Sequence, residues 1–268
     1  MNMLWKPSSL FLRSEFIFWR ELSVIEDVGD ALVIVTPKNP YWRWGNLIVL
    51  KNPPRSDDVA RWRELYEKRI APNQVNPNRL VTWDGLAAES SVIEAYTKDN
   101  LTFSPFDVLI LNSLLPSPNH NDQITIKEIG DNDEEWHEVI ESNIESFGVK
   151  DTSDYPDYAE RRIADHRSMV ASGRGRWYAA RVDGEFAGSL GVFAGDGLCR
   201  FQEVAVRPKF QRRGIASTLV HYAAARAREE YLNNPQVIVA DPNGNAINIY
   251  RQLGFEKHLE SHALTTPR

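Results

Sequence analysis

The stretch from Val204 to Ala216, Val-Ala-Val-Arg-Pro-Lys-Phe-Gln-Arg-Arg-Gly-Ile-Ala, constrains this chain more than any other. An apolar strand runs into Arg207-Pro208, then comes Gln211-Arg212-Arg213-Gly214-Ile215-Ala216, and straight after it a helix begins. Ile215, Leu219, Ala223 and Ala227 recur every fourth residue, which gives that helix one buried face. A helix start leaves its first N–H groups unpaired at the positive end of the macrodipole. An anion placed there satisfies both. Gly214 has no Cβ, so the main chain can approach a phosphate closely. Arg207, Lys209, Arg212 and Arg213 add positive charge. Two plainer readings stand beside this one: a glycine near a helix start is common, and an Arg-Arg pair is often a solvated face. A nucleic-acid surface is disfavoured, because the net charge is −6 and phosphate-backbone binding needs a broad basic face.

A second pattern follows. Val237-Ile238-Val239-Ala240-Asp241 reads as a buried strand, and Asn243, Ala246, Tyr250, Gly254 and Phe255 come after it at fixed spacing. Gln-x-x-Gly-x-Ala after a Val-x-Val strand end, then Asn-x-x-Ala-x-x-x-Tyr-x-x-x-Gly-Phe, resembles the signature of the GNAT superfamily of N-acetyltransferases. The resemblance covers roughly residues 123 to 262. The elements read from residue 124 onward run β-α-α-β-β-β-α-β-α-β, as in that family. They include strands at 124–126, 177–182, 185–193 and 198–206, and helices around Trp136 to Phe147 and Tyr158 to Ala171.

The resemblance implies acetyl-CoA as donor and direct transfer to an amine. It places the pyrophosphate on the main-chain N–H groups of Arg212, Arg213, Gly214, Ile215, Ala216 and Ser217, with Gln211 leading the motif. The amide-rich pantetheine arm would lie along Val204, Ala205 and Val206 like an added strand, with Asn243 as a side-chain contact. An N–H of this strand would stabilise the thioester oxyanion if a bulge turns it outward. Tyr250 stands where the family has its general acid, and a phenol is protonated at neutral pH. The plain alternative is a packing tyrosine. Glu203 is the candidate base, being the carboxylate on the strand beside the thioester. Strand alternation puts Gln202 and Glu203 on opposite faces, so either a bulge turns Glu203 inward or deprotonation runs through water. The family often carries its base at the positions of Gln202 or Arg200, and neither residue is a natural base.

Before residue 116 the chain reads as strands at 31–35, 46–50, 80–83 and 107–111, with helices at 56–70, capped by Ser56, and at 89–98. Ile93-Glu94-Ala95-Tyr96 matches Ile247-Asn248-Ile249-Tyr250 at an offset of 154, and Pro53 matches Pro208 at 155, which suggests a diverged repeat. Where the second copy has its glycine, the first has Ser56-Asp57-Asp58-Val59-Ala60, whose carboxylates would repel a pyrophosphate. The expected fold is therefore α/β (α+β). It has two GNAT-like domains, each a mixed, mostly antiparallel sheet flanked by helices. The first, at 1–115, is truncated, degenerate and without a CoA site; the second, at 123–268, is catalytic. Pro116 to Asp122 is a turn-rich linker between them.

The 42% hydrophobic content suffices for real cores. A lone cysteine, Cys199, allows no intrachain disulfide and fits a reducing cytoplasm. No signal peptide, membrane span or zinc-ligand spacing is read. The run of Asp131, Asp133, Glu134, Glu135, Glu138, Glu141 and Glu145, with Asp151, Asp154 and Asp157, either lines a cleft for a cationic amine or forms a solvated face. The expected function is N-acetyltransferase on an amine of a small molecule or protein. The alternative from another class is a non-catalytic acyl-CoA-binding module. Nucleic acid, membrane and metal are not expected, and a homodimer stays open.

Overall fold

In a computed structural model of the chain, residues 5–147, 154–232 and 234–267 are described. The chain divides into two compact units: residues 1–106 with 260–268, and residues 107–259. Each contains both antiparallel and parallel strand pairs, flanked by helices.

The first unit opens with helix α1 (Leu10–Leu22), which the sequence reading missed, and strand β1 (Val24–Asp27), also missed. Phe11, Leu12, Phe16, Phe18 and Trp19 are all buried and lie on one side of α1, while Arg20 and Glu21 are exposed. Phe11 packs against Trp44 and Phe106 at ring-centroid distances of 5.3 and 4.5 Å. Asp84, itself buried, accepts the main-chain N–H groups of Ser8 and Ser9 at 2.7 and 2.9 Å and so ties down the start of α1. Asp84→Ala would leave both donors without this acceptor. A loss of about 2 kcal/mol in denaturant unfolding is expected, and an unchanged midpoint would show the contact to be idle.

Strands β2 (Ala31–Val35) and β3 (Leu47–Leu50) pair antiparallel. Helix α2 (Val59–Arg69) then crosses to β4 (Leu80–Trp83), which pairs parallel with β3. Helix α3 (Ser90–Lys98) follows, leading to β5 (Thr102–Leu111). The Ser56 cap expected from the sequence is absent. Arg55 pairs with Asp57, and the Asp58 N–H donates to the Arg55 carbonyl, so 55–58 form a turn and the helix starts at Val59. The β3–β4 pairing runs through Ile48, Val49 and Leu50, to the end of β3, so these two strands stay closed. Trp62, Tyr66 and Tyr96 fill the core of this unit with Val81, Trp83 and Leu264.

The second unit contains β6 (Ile124–Glu128), α4 (Asp133–Phe147), α5 (Tyr155–Ala171), β7 (Gly175–Val182), β8 (Glu185–Gly195) and β9 (Leu198–Val206). Helix α6 (Ile215–Glu230), β10 (Gln236–Ala240), α7 (Ala246–Gln252) and β11 (Phe255–Thr265) complete it. Strands β6 to β9 form an antiparallel meander, and β10 joins β9 in parallel. The units do not follow the linear halves read from the sequence. From Asp107 onward β5 belongs to the second unit and pairs antiparallel with β10. From Glu260 onward β11 belongs to the first, where Ala263 to Thr265 pair with β4. Boundaries at 115 and 123 therefore cut across the packing, because a strand belongs to whichever sheet supplies its hydrogen bonds.

Residues 113–121 are also more than a spacer. They lie along α6 as a strap, closely fitted at both ends. The Leu115 N–H donates to the Leu253 carbonyl. The Ser113 carbonyl sits 1.9 Å from where a Cβ on Gly254 would be, and the Asn119 carbonyl 2.0 Å from where one on Gly214 would be.

Candidate active site

Among the described residues, strands β9 and β10 pair at Gln236–Cys199 and Val237–Arg200 and at no further position. Beyond Arg200 they diverge, and the β10-facing edge of residues 202–206 is left without a strand partner, whereas β8 pairs with Ala205 and Val206 on the other side. At the mouth of this fork comes the turn into α6. Arg212 and Gly214 have φ of 59° and 74°, so left-handed residues alternate with right-handed or extended ones, a geometry that turns successive N–H groups to one side. Among the described residues, no protein acceptor is recorded for the main-chain N–H groups of Arg212 to Ser217; the first helical bond recorded here is Thr218 N–H to the Gly214 carbonyl.

The side chains of this motif do different things. Gln211 donates from Nε2 to the Val206 carbonyl at 3.1 Å and closes the turn onto the end of β9. Ile215 is buried in the core, and Ala216 is half-buried. Ser217 is buried, and its hydroxyl meets that of Ser117 on the strap at 2.7 Å. Arg212 and Arg213 are exposed, with the Arg213 guanidinium over the Phe210 ring. Arg207 and Lys209 are engaged elsewhere: Arg207 with Glu141 and Glu145, Lys209 with Glu185. The space beside Gly214 is also corrected. The direction its Cβ would take is filled by the strap, so the glycine is demanded by φ and by the Asn119 carbonyl.

Glu203 carries the bulge that the sequence left as one of two possibilities. Its φ is 50°, and the β8–β9 register slips so that Ser189 faces Ala205 while Gly191 faces Gln202. A bulge with a left-handed residue breaks the strict alternation of faces and re-aims side chains. Glu203 is half-buried, and desolvation raises its pKa above the usual carboxylate value, opposed by the charges of Arg162 on α5 and Arg200 on β9. Tyr250 on α7 is buried, and desolvation pushes its phenol up to about 12, with Arg200 again opposing. Arg200 thus lies at the apex of the fork, within electrostatic reach of both groups. Arg162 was not singled out in the sequence, because a buried arginine on a charged helix looks like any solvated one. Asn243 is exposed just beyond β10, in a turn where its N–H donates to the Asp241 carboxylate.

The acidic stretch does not form an unpaired negative wall. Arg167 pairs with Asp131 and Asp133, Arg181 with Glu135 and Glu138, and Arg207 with Glu141 and Glu145. Asp151 lies outside the described residues. Tyr155 and Tyr158 pack against each other, ring centroids 5.5 Å apart. Cys199 is fully buried with its thiol pushed up to about 12 by desolvation, so it belongs to the core and is no nucleophile. Among the described residues no cluster of three His, Cys, Asp or Glu side chains could hold a metal ion, and no helix is long and apolar enough to cross a membrane.

Comparison with known proteins places this geometry. Residues 136–255 match the model of the Acetyltransferase (GNAT) family. Over 105 residues, 38% of the chain, the sequence is 33% identical to streptothricin acetyltransferase of Streptomyces lavendulae, and the chain spans about half (51%) of that relative's length. A conserved protein of unknown function from Staphylococcus epidermidis superposes with a TM-score of 0.76 at 14% identity, over 97% of this chain and 98% of that one. A GCN5-related N-acetyltransferase from Kribbella flavida gives 0.69 at 17% identity, over 96% and 95%. A tandem GNAT protein from the clavulanic acid biosynthesis pathway gives 0.52 at 13% identity, over 77% and 67%. At these identities the solved structures establish a shared fold, in one case a tandem one.

Proposed function

We propose that this chain, whose residues 136–255 match the GNAT family model, transfers an acetyl group from acetyl-CoA to an amine. The observation that carries the reading is one juxtaposition. An unpaired strand edge at 202–206, N–H groups at 212–217 without protein acceptors, and a bulged carboxylate all meet at the β9–β10 fork.

The residues present suit the donor. The N–H groups of Arg212 to Ser217 hold the pyrophosphate at the positive end of α6. The free edge of Val204 to Val206 pairs with the pantetheine amides, and Asn243 reaches the same arm. Glu203 takes a proton from the acceptor ammonium, with the charges of Arg162 and Arg200 opposing the desolvation that raises its pKa. The amine nitrogen then bonds to the thioester carbonyl carbon, and an N–H from the bulged segment holds the oxygen as it gains charge. The C–S bond breaks, the electron pair leaves on sulfur, Tyr250 gives that sulfur its proton, and the second proton shed by the nitrogen as it becomes an amide restores the phenol through water. A phenol with a pKa of about 12 is present almost wholly as the acid across the working range.

The first unit takes no part in this chemistry. Its β3–β4 pair stays closed, and Asp57 and Asp58 stand before α2 where a cradle would have to be. The acceptor is an amine whose identity the paired acidic residues do not define. The relative from Streptomyces lavendulae makes streptothricin the first compound to try.

The test is release of CoA, followed with a thiol reagent, over a panel of amines including streptothricin. Turnover with at least one amine is expected; tight acetyl-CoA binding with none would replace the enzyme by a binding module. Tyr250→Phe is expected to lower kcat about tenfold. That lies below the usual range for general acids, because a thiol of pKa about 8.5 is already a fair leaving group. A kcat equal to wild type would make Tyr250 a packing residue.

A further inference from the structure

The strap touches the N–H cradle through its carbonyls. Asn121 donates from Nδ2 to the Arg213 carbonyl at 2.7 Å. Its main-chain N–H donates to Thr218 Oγ1 at 2.9 Å, and Thr218 Oγ1 in turn donates to the Gly214 carbonyl at 3.0 Å. Two successive peptide units, 213–214 and 214–215, are therefore anchored by their oxygens. A trans peptide is planar, so anchoring its C=O on one side turns its N–H to the other. The strap thereby aims the N–H groups of Gly214 and Ile215 away from itself.

We infer that Asn121 is a positioning residue for the donor: it holds the Arg213–Gly214 peptide so that an N–H, and not a carbonyl, faces the pyrophosphate. This rests on the reading under Proposed function. The need for such a device follows from Gly214 itself. A residue without a Cβ accepts either sign of φ at small cost, so the peptide before it can flip. A flip would replace a donor by a carbonyl oxygen and turn attraction for phosphate into repulsion. Asn121 removes that freedom by bonding the carbonyl from the far side. The Asn119 carbonyl, pressed against Gly214, limits the turn sterically from the same direction. Residues read in the sequence as a spacer thus become the outer wall of the cradle.

The experiment compares two donors. Acetyl-CoA carries the pyrophosphate; acetyl-pantetheine offers the same thioester and arm without it. Asn121→Ala is expected to raise the KM for acetyl-CoA about tenfold, leave kcat at saturation unchanged, and leave kcat/KM for acetyl-pantetheine unchanged. Asn121→Asp cannot donate and sets a carboxylate against the Arg213 carbonyl, so a larger rise, again confined to acetyl-CoA, is expected. Equal losses with both donors would mean that Asn121 only packs the strap, and no loss with either would mean that the peptide holds itself; both results overturn the inference. Should Asn121→Asp fail to fold, Asn121→Ala carries the comparison. A wild-type protein that turns over neither donor would instead refute the acetyltransferase reading, and would do so before any variant is made.

Discussion

Glu203→Gln is expected to lower kcat/KM about 100-fold and to erase the acidic limb of its pH profile. General bases contribute on the order of 10² to 10⁴ in rate, and water can take over part of this one's task, which sets the expectation at the low end. The direction of the pH effect follows from the raised pKa. The base must be ionised, so wild-type kcat/KM should climb through an apparent pKa above that of an ordinary glutamate and then level off. Glutamine has no such ionisation, and its residual rate should lack that step. Stability moves the other way. A carboxyl whose folded pKa lies above its unfolded value binds more protons when folded, so wild-type stability falls as pH rises between the two values. Glu203→Gln removes that fall, and its melting temperature at neutral pH should equal or exceed wild type. A less active but more stable variant is the mark of a functional group held in a costly environment. If the variant keeps the wild-type profile, the base is elsewhere.

Gly214→Val should be more damaging still, with acetyl-CoA affinity falling at least about 100-fold. Two independent costs meet at this position. A β-branched residue at φ 74° is strained by about 1–2 kcal/mol. Its Cβ would also lie 2.0 Å from the Asn119 carbonyl, a main-chain atom that can yield only if the strap lifts. Lifting the strap breaks the Asn121 bond to Arg213, and the cradle loses its fixed peptide plane. Gly214→Ala keeps the clash with less side-chain strain, so its affinity should fall between wild type and valine. Calorimetric titration with CoA, alongside a melting curve, separates lost binding from lost folding. Wild-type affinity in Gly214→Val would show that strap and cradle are not coupled.

Much of the site was legible in the sequence because its signals are local. The strand-to-helix junction, the helix-period apolar face after Gly214 and the spacing from Asn243 to Tyr250 each depend on residues a few places apart. The Glu203 bulge was not legible. The sequence reading could only say that alternation had to fail there or the base had to be water. A bulge is a property of two strands in register, and the partner of Glu203 lies on β8. Helix α1 was missed as well, although Phe11, Leu12, Phe16, Phe18 and Trp19 share one side of it.

What the sequence by itself determined, then, is the chemistry on offer: a helix tip suited to an anion, a phenol and a carboxylate at set spacings, and a first half lacking that glycine. The tertiary structure decided where that chemistry is usable. It closed β3 on β4 but spread β9 from β10, gave the end of each half to the other unit's sheet, paired the acidic stretch with arginines, and laid residues 113–121 against α6. The physical reason is range. Backbone propensity and periodicity act over one or two turns, whereas an open strand edge, a bulge and an anchored peptide plane depend on partners tens to a hundred residues away.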